Sequence, residues 1–370
     1  MSRFIFSLSV LLGIASLGCV DANRVASPSE QRDLFDLPTG PTPAVKEVFA
    51  RPANGYRRYH QKNYEFVLTS DQPGYTGRQF KTLIPDVSSG TQVPCLFYNP
   101  AGATAFNGKS AGTAEIDPML PYVKAGFAVV IYGTDGGTVE ITERTSIRSL
   151  AKQAEQYANA HAGLINARHA VDFVLQEFSQ IDAQRLYTIG HSSGGKQALL
   201  VAAADSRIAG CVAWAPACQV SKDEQELLQK LGRARRSLSV SMLDQSDPMR
   251  FAARIKVPLL LVHSASDEIV SSADVLGFGE RVPGADVLAV PSQNHFDIPD
   301  VAQTLTQKWL ARLATAEGQT LAAANPASTA NDVRPVSNRK SNRRTTTRGR
   351  HSSRQGKSDT PSIQSNPFAN

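Results

Sequence analysis

Residues 186–195 read Leu186-Tyr187-Thr188-Ile189-Gly190-His191-Ser192-Ser193-Gly194-Gly195. The stretch opens as a short apolar run, the pattern of a strand buried on both faces, and leads into Lys196–Ala204, a helix candidate. The turn between strand and helix must be very tight, and it carries Gly-x-Ser-x-Gly. A β-carbon at Gly190 or Gly194 would collide across such a turn, which is why glycine stands at both places. Ser192 is forced into a strained conformation that lifts its hydroxyl to the sheet's edge. The amide of Ser193, first in the helix, points toward the place where an acyl-transfer oxygen turns negative. The bare motif is common; in this context it marks Ser192 as a nucleophile.

Outward from this stretch, Tyr64–Thr69 and Phe80–Ile84 read as an antiparallel pair of strands separated by a turn with Gly74 and Gly77. Further apolar runs, Val93–Tyr98, Phe127–Tyr132, Ile208–Trp214, Val257–Val262 and Val287–Val290, fit strands of a parallel sheet. Helical patterns alternate with them. Leu164, Ala167, Val171, Val174 and Phe178 share one face, and Leu305, Trp309 and Leu313 line another within Val301–Ala314. The alternation predicts an α/β fold with a mainly parallel sheet of eight-stranded type, flanked by helices. Residues 219–252 interrupt it and read as a lid-like insertion over the sheet's carboxyl edge, while 23–55, polar and Pro-rich, read as a linker or N-terminal arm. The folded domain is expected over 56–316.

A serine needs a base to take its proton, and on such a scaffold the order is serine, acid, histidine. Of the seven histidines, His295 and His351 follow far enough along, and His351 lies in the polar tail. His295 stands in a loop between the last strand and the last helix, where its imidazole can reach Ser192. His191 and His263 have simpler explanations, as a flank of the turn and the end of a strand. Asp267, in the loop after Pro258–Val262, is the candidate acid that orients the imidazole; Glu268 is its neighbour, and Asp244 and Asp247 in the insertion are weaker alternatives. A second oxyanion donor is sought in Asn99-Pro100-Ala101-Gly102-Ala103-Thr104, where little side chain keeps a substrate from the backbone. Gly102 is the choice, with Ala101 and Ala103 one residue away.

Charge excludes one class of function. The 370-residue chain carries a net +6, but residues 331–370 hold nine Lys/Arg against two Asp, so the rest is close to neutral. A basic nucleic-acid-binding domain is not supported; the charge belongs to a tail, expected to be disordered over 317–370, that can contact anionic surfaces. With 41% hydrophobic and 19% charged residues, most of the chain can bury a core.

The N-terminus reads as an export signal over residues 1–22, with Arg3 ahead of an apolar stretch to Val20. Leu17-Gly18-Cys19 resembles the lipobox of bacterial lipoproteins, which would acylate Cys19 and anchor the chain to a membrane; cleavage after Ala22 is the alternative. Either way the expectation is an exported protein, periplasmic, envelope-bound or secreted. Of Cys95, Cys211 and Cys218, the first and second fall in strand-like runs and read as buried free thiols, although one disulfide among the three is allowed. No pair shows metal-ligand spacing with histidine, so no metal is expected.

Over 56–316 the chain resembles the α/β-hydrolase superfamily, in its dienelactone-hydrolase-like, cutinase-like and prolyl-oligopeptidase-like branch. The resemblance rests on Gly190–Gly195, on Ile181-Asp182 with Arg185, on Lys256-Val257-Pro258-Leu259-Leu260 leading to Asp267, and on Asn294-His295-Phe296. Pro100 to Thr104 is similar to the Pro-Gly-x-Thr oxyanion loop of bacterial polyester hydrolases, with Ala101 in place of the glycine, and the His-Gly-Gly-Gly form of many lipases is absent. The resemblance implies a Ser192–His295–Asp267 acyl hydrolase without a cofactor, its oxyanion hole at Gly102 and Ser193, acting on a small-molecule or polymer ester. Two rivals remain. A prolyl-oligopeptidase-type peptidase ranks lower, because the chain ahead of Val93 is too short for the gating β-propeller of those enzymes. A catalytically silent binding module is the other, and the ordered presence of all three triad residue types argues against it.

Overall fold

The computed structural model describes residues 33–48, 59–102, 110–136, 146–220 and 237–324. The export signal with Cys19, the alternative donor Ala103 and, from residue 325 on, the basic tail with His351 lie outside the described residues, whereas 317–324, expected in the disordered tail, continue the last helix. The described residues up to Ala323 form one compact unit.

Among the described residues nine strands form one sheet: β1 (Val45–Val48), β2 (Tyr59–Phe66), β3 (Gln79–Pro85), β4 (Val93–Asn99), β5 (Ala128–Tyr132), β6 (Ile181–His191), β7 (Ile208–Trp214), β8 (Leu259–His263) and β9 (Asp286–Ala289). Their spatial order is β1-β2-β3-β5-β4-β6-β7-β8-β9. The first three strands pair antiparallel, as does β3 with β5; every pair from β5 across to β9 is parallel. The expected α/β architecture is present, with one strand more than the eight-stranded type.

That extra strand corrects the reading of 23–55 as a linker. β1 pairs with β2, and Leu34 just ahead of it is fully buried, its amide donating to Gln245 Oε1 at 2.8 Å. A four-residue edge strand with alternating charge, Val45-Lys46-Glu47-Val48, carries too little apolar signal to announce itself in sequence.

Because successive side chains of a strand point to opposite faces, the buried strands feed two cores. Cys95, Phe97, Val130, Cys211, Ala213 and Leu261 enter one, with helices α2 (Ile147–Asn159), α3 (Leu164–Glu177) and α4 (Ser193–Ala204) packed over it. Leu96, Tyr98, Val129, Ile131, Val212, Trp214 and Val262 enter the other, under the short α1 (Leu120–Lys124) and the C-terminal helix Ile298–Ala324. That helix begins before and ends beyond the expected Val301–Ala314. It is pinned by its own side chains: Trp214 Nε1 donates to Thr306 Oγ1 at 3.1 Å and Trp309 Nε1 to Asp286 Oδ2 at 2.6 Å. The covering of both faces explains why these strands read as continuous apolar runs.

Residues 221–236 of the expected lid lie outside the described residues. What is described of 219–252 does not stand over the carboxyl edge as a lid: Val220, Met242, Leu243, Phe251 and Ala252 are buried in the same core as α2–α4. The helices there, Ser237–Gln245 and Pro248–Phe251, are too short to show a clear period in sequence. Cys95, Cys211 and Cys218 are buried and form no disulfide among the described residues, and burial pushes the Cys211 thiol up to about 12. They act as small core hydrophobes.

Candidate active site

Parallel strands deliver their following loops to one edge of the sheet. At β4 and β6 the connections run in opposite directions, β4 leading back to β5 and β6 onward to β7, which opens a crevice between their carboxyl ends. Asn99 and Gly190 are register partners across this crevice. The loops that follow carry Gly102 from β4, Ser192 and Ser193 from β6, Asp267 from β8 and His295 from β9.

Ser192 occupies φ 56°, ψ −122°, a region that side-chain-bearing residues rarely adopt. The turn is held from three sides: Ser192 N donates to Trp214 O at 2.9 Å, and Ser192 O accepts from Lys196 N at 3.0 Å and Ala217 N at 3.2 Å. A β-carbon at Gly190 would overlap the carbonyl of Gly194, and one at Gly194 would overlap the carbonyl of Asn99. Both glycines are thus required by close backbone approach, as expected, and the second lets the β4 loop lie directly on the turn.

His295 Nδ1 lies 2.8 Å from Asp267 Oδ2, with the two side chains 3% and 1% exposed. The other carboxylate oxygen accepts from Ile269 N and Val270 N, each at 2.9 Å. Burial pushes the Asp267 carboxyl upward, but the bonds from His295, Val270 and Ile269 outweigh it and hold the group below its ordinary value. An ionised Asp267 fixes a proton on Nδ1, which leaves Nε2 as the nitrogen that can accept one. The rival acids are committed elsewhere: Asp244 pairs with Arg250 at 2.5 Å, Asp247 caps Pro248–Phe251 through Met249 N at 3.0 Å, and Glu268 is exposed.

The loop that carries the histidine is built by two side chains that sequence reading passed over. Asn294 Oδ1 accepts from Phe296 N at 2.8 Å, while Asp297 accepts from Gln293 N at 2.9 Å and Asn294 N at 3.2 Å. This is a capping box at the head of a short 3₁₀ turn, His295–Asp297, which runs into the C-terminal helix. The spacing Asn294-x-x-Asp297 ahead of a helix was its available signal. His191, set aside in the sequence reading, also touches this loop: its Nε2 lies 3.0 Å from the carbonyl oxygen of His295, with ring centroids 4.4 Å apart. The bond requires a proton on His191 Nε2, since a carbonyl only accepts.

Through His191 the His295 loop and the serine turn meet. Among the described residues no hydrogen bond joins Ser192 Oγ to the His295 ring. Gly102 and Ser193 come together, but the Gly102 N–H donates to Ser193 Oγ at 2.7 Å, and that hydroxyl donates to Gly102 O at 2.9 Å. Asn99 Nδ2, donating to Tyr132 O at 3.1 Å, secures the base of the same loop. No group of three or more His, Cys, Asp or Glu placed to hold a metal occurs among the described residues.

Residues 153–314 match the model of the prolyl oligopeptidase family. No curated protein matches the sequence significantly. Among solved structures, acetyl xylan esterase 1 from a Thermoanaerobacterium species shares the fold with a TM-score of 0.56 at 17% identity, over 77% of this chain and 92% of that one. An acetyl xylan esterase from a Paenibacillus species follows with a TM-score of 0.53 at 17% identity, over 73% and 88%. By sheet order, serine turn and these likenesses, the chain has the fold of the α/β hydrolases, with a tight strand–turn–helix around Ser192.

Proposed function

We propose that the protein is a carboxylic-ester hydrolase working through Ser192, His295 and Asp267. The observation that carries this reading is the buried His295–Asp267 pair, tied through His191 to the residue before a strained serine. In the first half-reaction Ser192 Oγ attacks the ester carbonyl carbon as His295 Nε2 takes its proton. The tetrahedral oxyanion collapses, the C–O bond to the alcohol breaks, and the departing alkoxide receives the proton from Nε2. Water, deprotonated by the same nitrogen, then attacks the acyl carbon; the acyl–Oγ bond breaks, the acid leaves, and Nε2 returns the proton to Ser192 Oγ. Asp267 stays ionised throughout and stabilises the imidazolium electrostatically.

An ester asks least of this machinery, because an alkoxide is a better leaving group than an amide nitrogen. Phe296, 74% exposed and edge-on to the His295 ring at 5.4 Å, offers an apolar surface to an acyl or alcohol group arriving there. The second reading is a peptidase, favoured by the family match over 153–314. Labelling with a fluorophosphonate probe, abolished in Ser192→Ala, tests the mechanism; no labelling of the native chain would overturn it. Turnover of short-chain nitrophenyl esters against Pro-containing peptide amides decides between the readings. We further propose export by the N-terminal signal, to be checked by fractionation of cells carrying Cys19→Ala.

A further inference from the structure

An oxyanion hole needs two donors aimed at one point, and here one of the expected pair is committed. The Gly102 N–H ends on Ser193 Oγ at 2.7 Å, so it does not face an open hole. The hydroxyl it meets is 7% exposed by residue, sits on the first residue of α4, and hands its own proton to Gly102 O at 2.9 Å. The Gly102 amide and the Ser193 hydroxyl thus meet at the crevice, one residue after Ser192.

We propose that the second oxyanion donor is the Ser193 hydroxyl, backed by the Gly102 N–H, rather than the Gly102 N–H itself. This rests on the reading of Ser192 as the nucleophile. A serine hydroxyl lies close to its own backbone amide, so one residue presents both N–H and O–H to the same oxygen. Rotation about the Cβ–Oγ bond turns the proton away from Gly102 O and toward the oxyanion while Oγ keeps its bond from Gly102 N–H. No heavy atom moves. Accepting that bond polarises the O–H and makes it a stronger donor. The proton remains on Oγ, and when the tetrahedral intermediate collapses it returns to Gly102 O. The assignment also accounts for a loop that departs from the Pro-Gly-x-Thr pattern: Gly102 need only back the hydroxyl, and its lack of a side chain lets it approach.

The test is steady-state kinetics on a nitrophenyl ester with affinity for a phenylboronic acid, whose tetrahedral adduct with Ser192 mimics the intermediate. Ser193→Ala should lower kcat by about 10²–10³ with KM little changed, the cost of one oxyanion donor, and weaken boronate binding in parallel. Ser193→Thr, which keeps the hydroxyl, should recover most of both. An unchanged or raised kcat in Ser193→Ala would overturn the assignment, because the hydroxyl would then only block the Gly102 amide. A loss in Ser193→Ala that Ser193→Thr fails to recover, with both variants melting like the native chain, would overturn it too. Fluorophosphonate labelling separates the two levels. Absence of labelling in the native chain removes the serine-hydrolase reading itself, whereas normal labelling with an unaffected Ser193→Ala removes only this assignment.

Discussion

The Nε2 of His191 holds the carbonyl oxygen of His295 at 3.0 Å, tying the residue before the serine directly to the residue proposed as its base. His191 ends β6 and His295 lies in the loop after β9, strands that are not neighbours in the sheet. The bond therefore fixes the distance between two parts of the site that the sheet alone leaves independent. His191→Phe keeps a ring against His295 and removes the donor. A hydrogen bond of this kind contributes about 0.5–1.5 kcal/mol, so kcat should fall up to about tenfold with KM little altered. Full activity in this variant would show that the capping box alone positions the base.

Asp267→Asn should leave the fold intact and lower kcat by about 10⁴, because an amide does not hold the imidazole in the required tautomer or stabilise its charged form. Stopped-flow measurement of acyl-enzyme formation would locate the loss in the first chemical step. A loss confined to KM would contradict the role.

The same carboxylate makes stability depend on acidity. Its folded value lies below the ordinary 3.8, so the unfolded chain binds the proton first as pH falls. The stabilisation is present above about pH 4 and is lost as pH drops through the lower folded value. Urea midpoints of Asp267→Asn and the native chain should therefore converge below that pH and diverge above it.

His169 acts in a different pH window. Buried beside the Phe66 ring at 5.3 Å, with no hydrogen-bond partner for Nδ1 among the described residues, it is held near pKa 4 by desolvation against an ordinary 6.5. The unfolded chain takes up a proton that the folded chain refuses, so stability falls as pH drops from 6.5 toward 4. The total is about 3 kcal/mol at most. His169→Leu should flatten the denaturation midpoint over that interval; an unchanged slope would place the titrating group elsewhere.

Gly190→Ala should abolish probe labelling and destabilise the chain by about 3 kcal/mol or more, since its β-carbon would overlap the Gly194 carbonyl and the backbone itself must shift. Retention of labelling would mean that the turn can open without losing the serine's geometry.

Much of the site was legible in sequence because each part leaves a local mark. Ser192 is announced by two glycines that only a tight strand-to-helix turn requires, and Asp267 and His295 by loops that follow apolar runs. β1 was missed because four residues of mixed charge carry no pattern, and the core packing of 241–252 because its helices are too short to show one. His191 was missed for another reason. Its partner is 104 residues away and is a backbone carbonyl, which any residue supplies, so no side-chain pattern could reveal the pair.

The amino-acid sequence alone determined the alternation of strands and helices, the serine proposed as nucleophile and the chain order of serine, acid and histidine, since these follow from apolar period, steric demand and chain order. Only the tertiary structure decided that Asp267 rather than Asp244 or Asp247 meets the imidazole, and that the Gly102 amide meets a hydroxyl rather than an open hole. Those outcomes depend on a few tenths of an ångström between loops from separate strands. Hydrogen-bond direction at that scale is set by the packed sheet, not by any one segment of the chain.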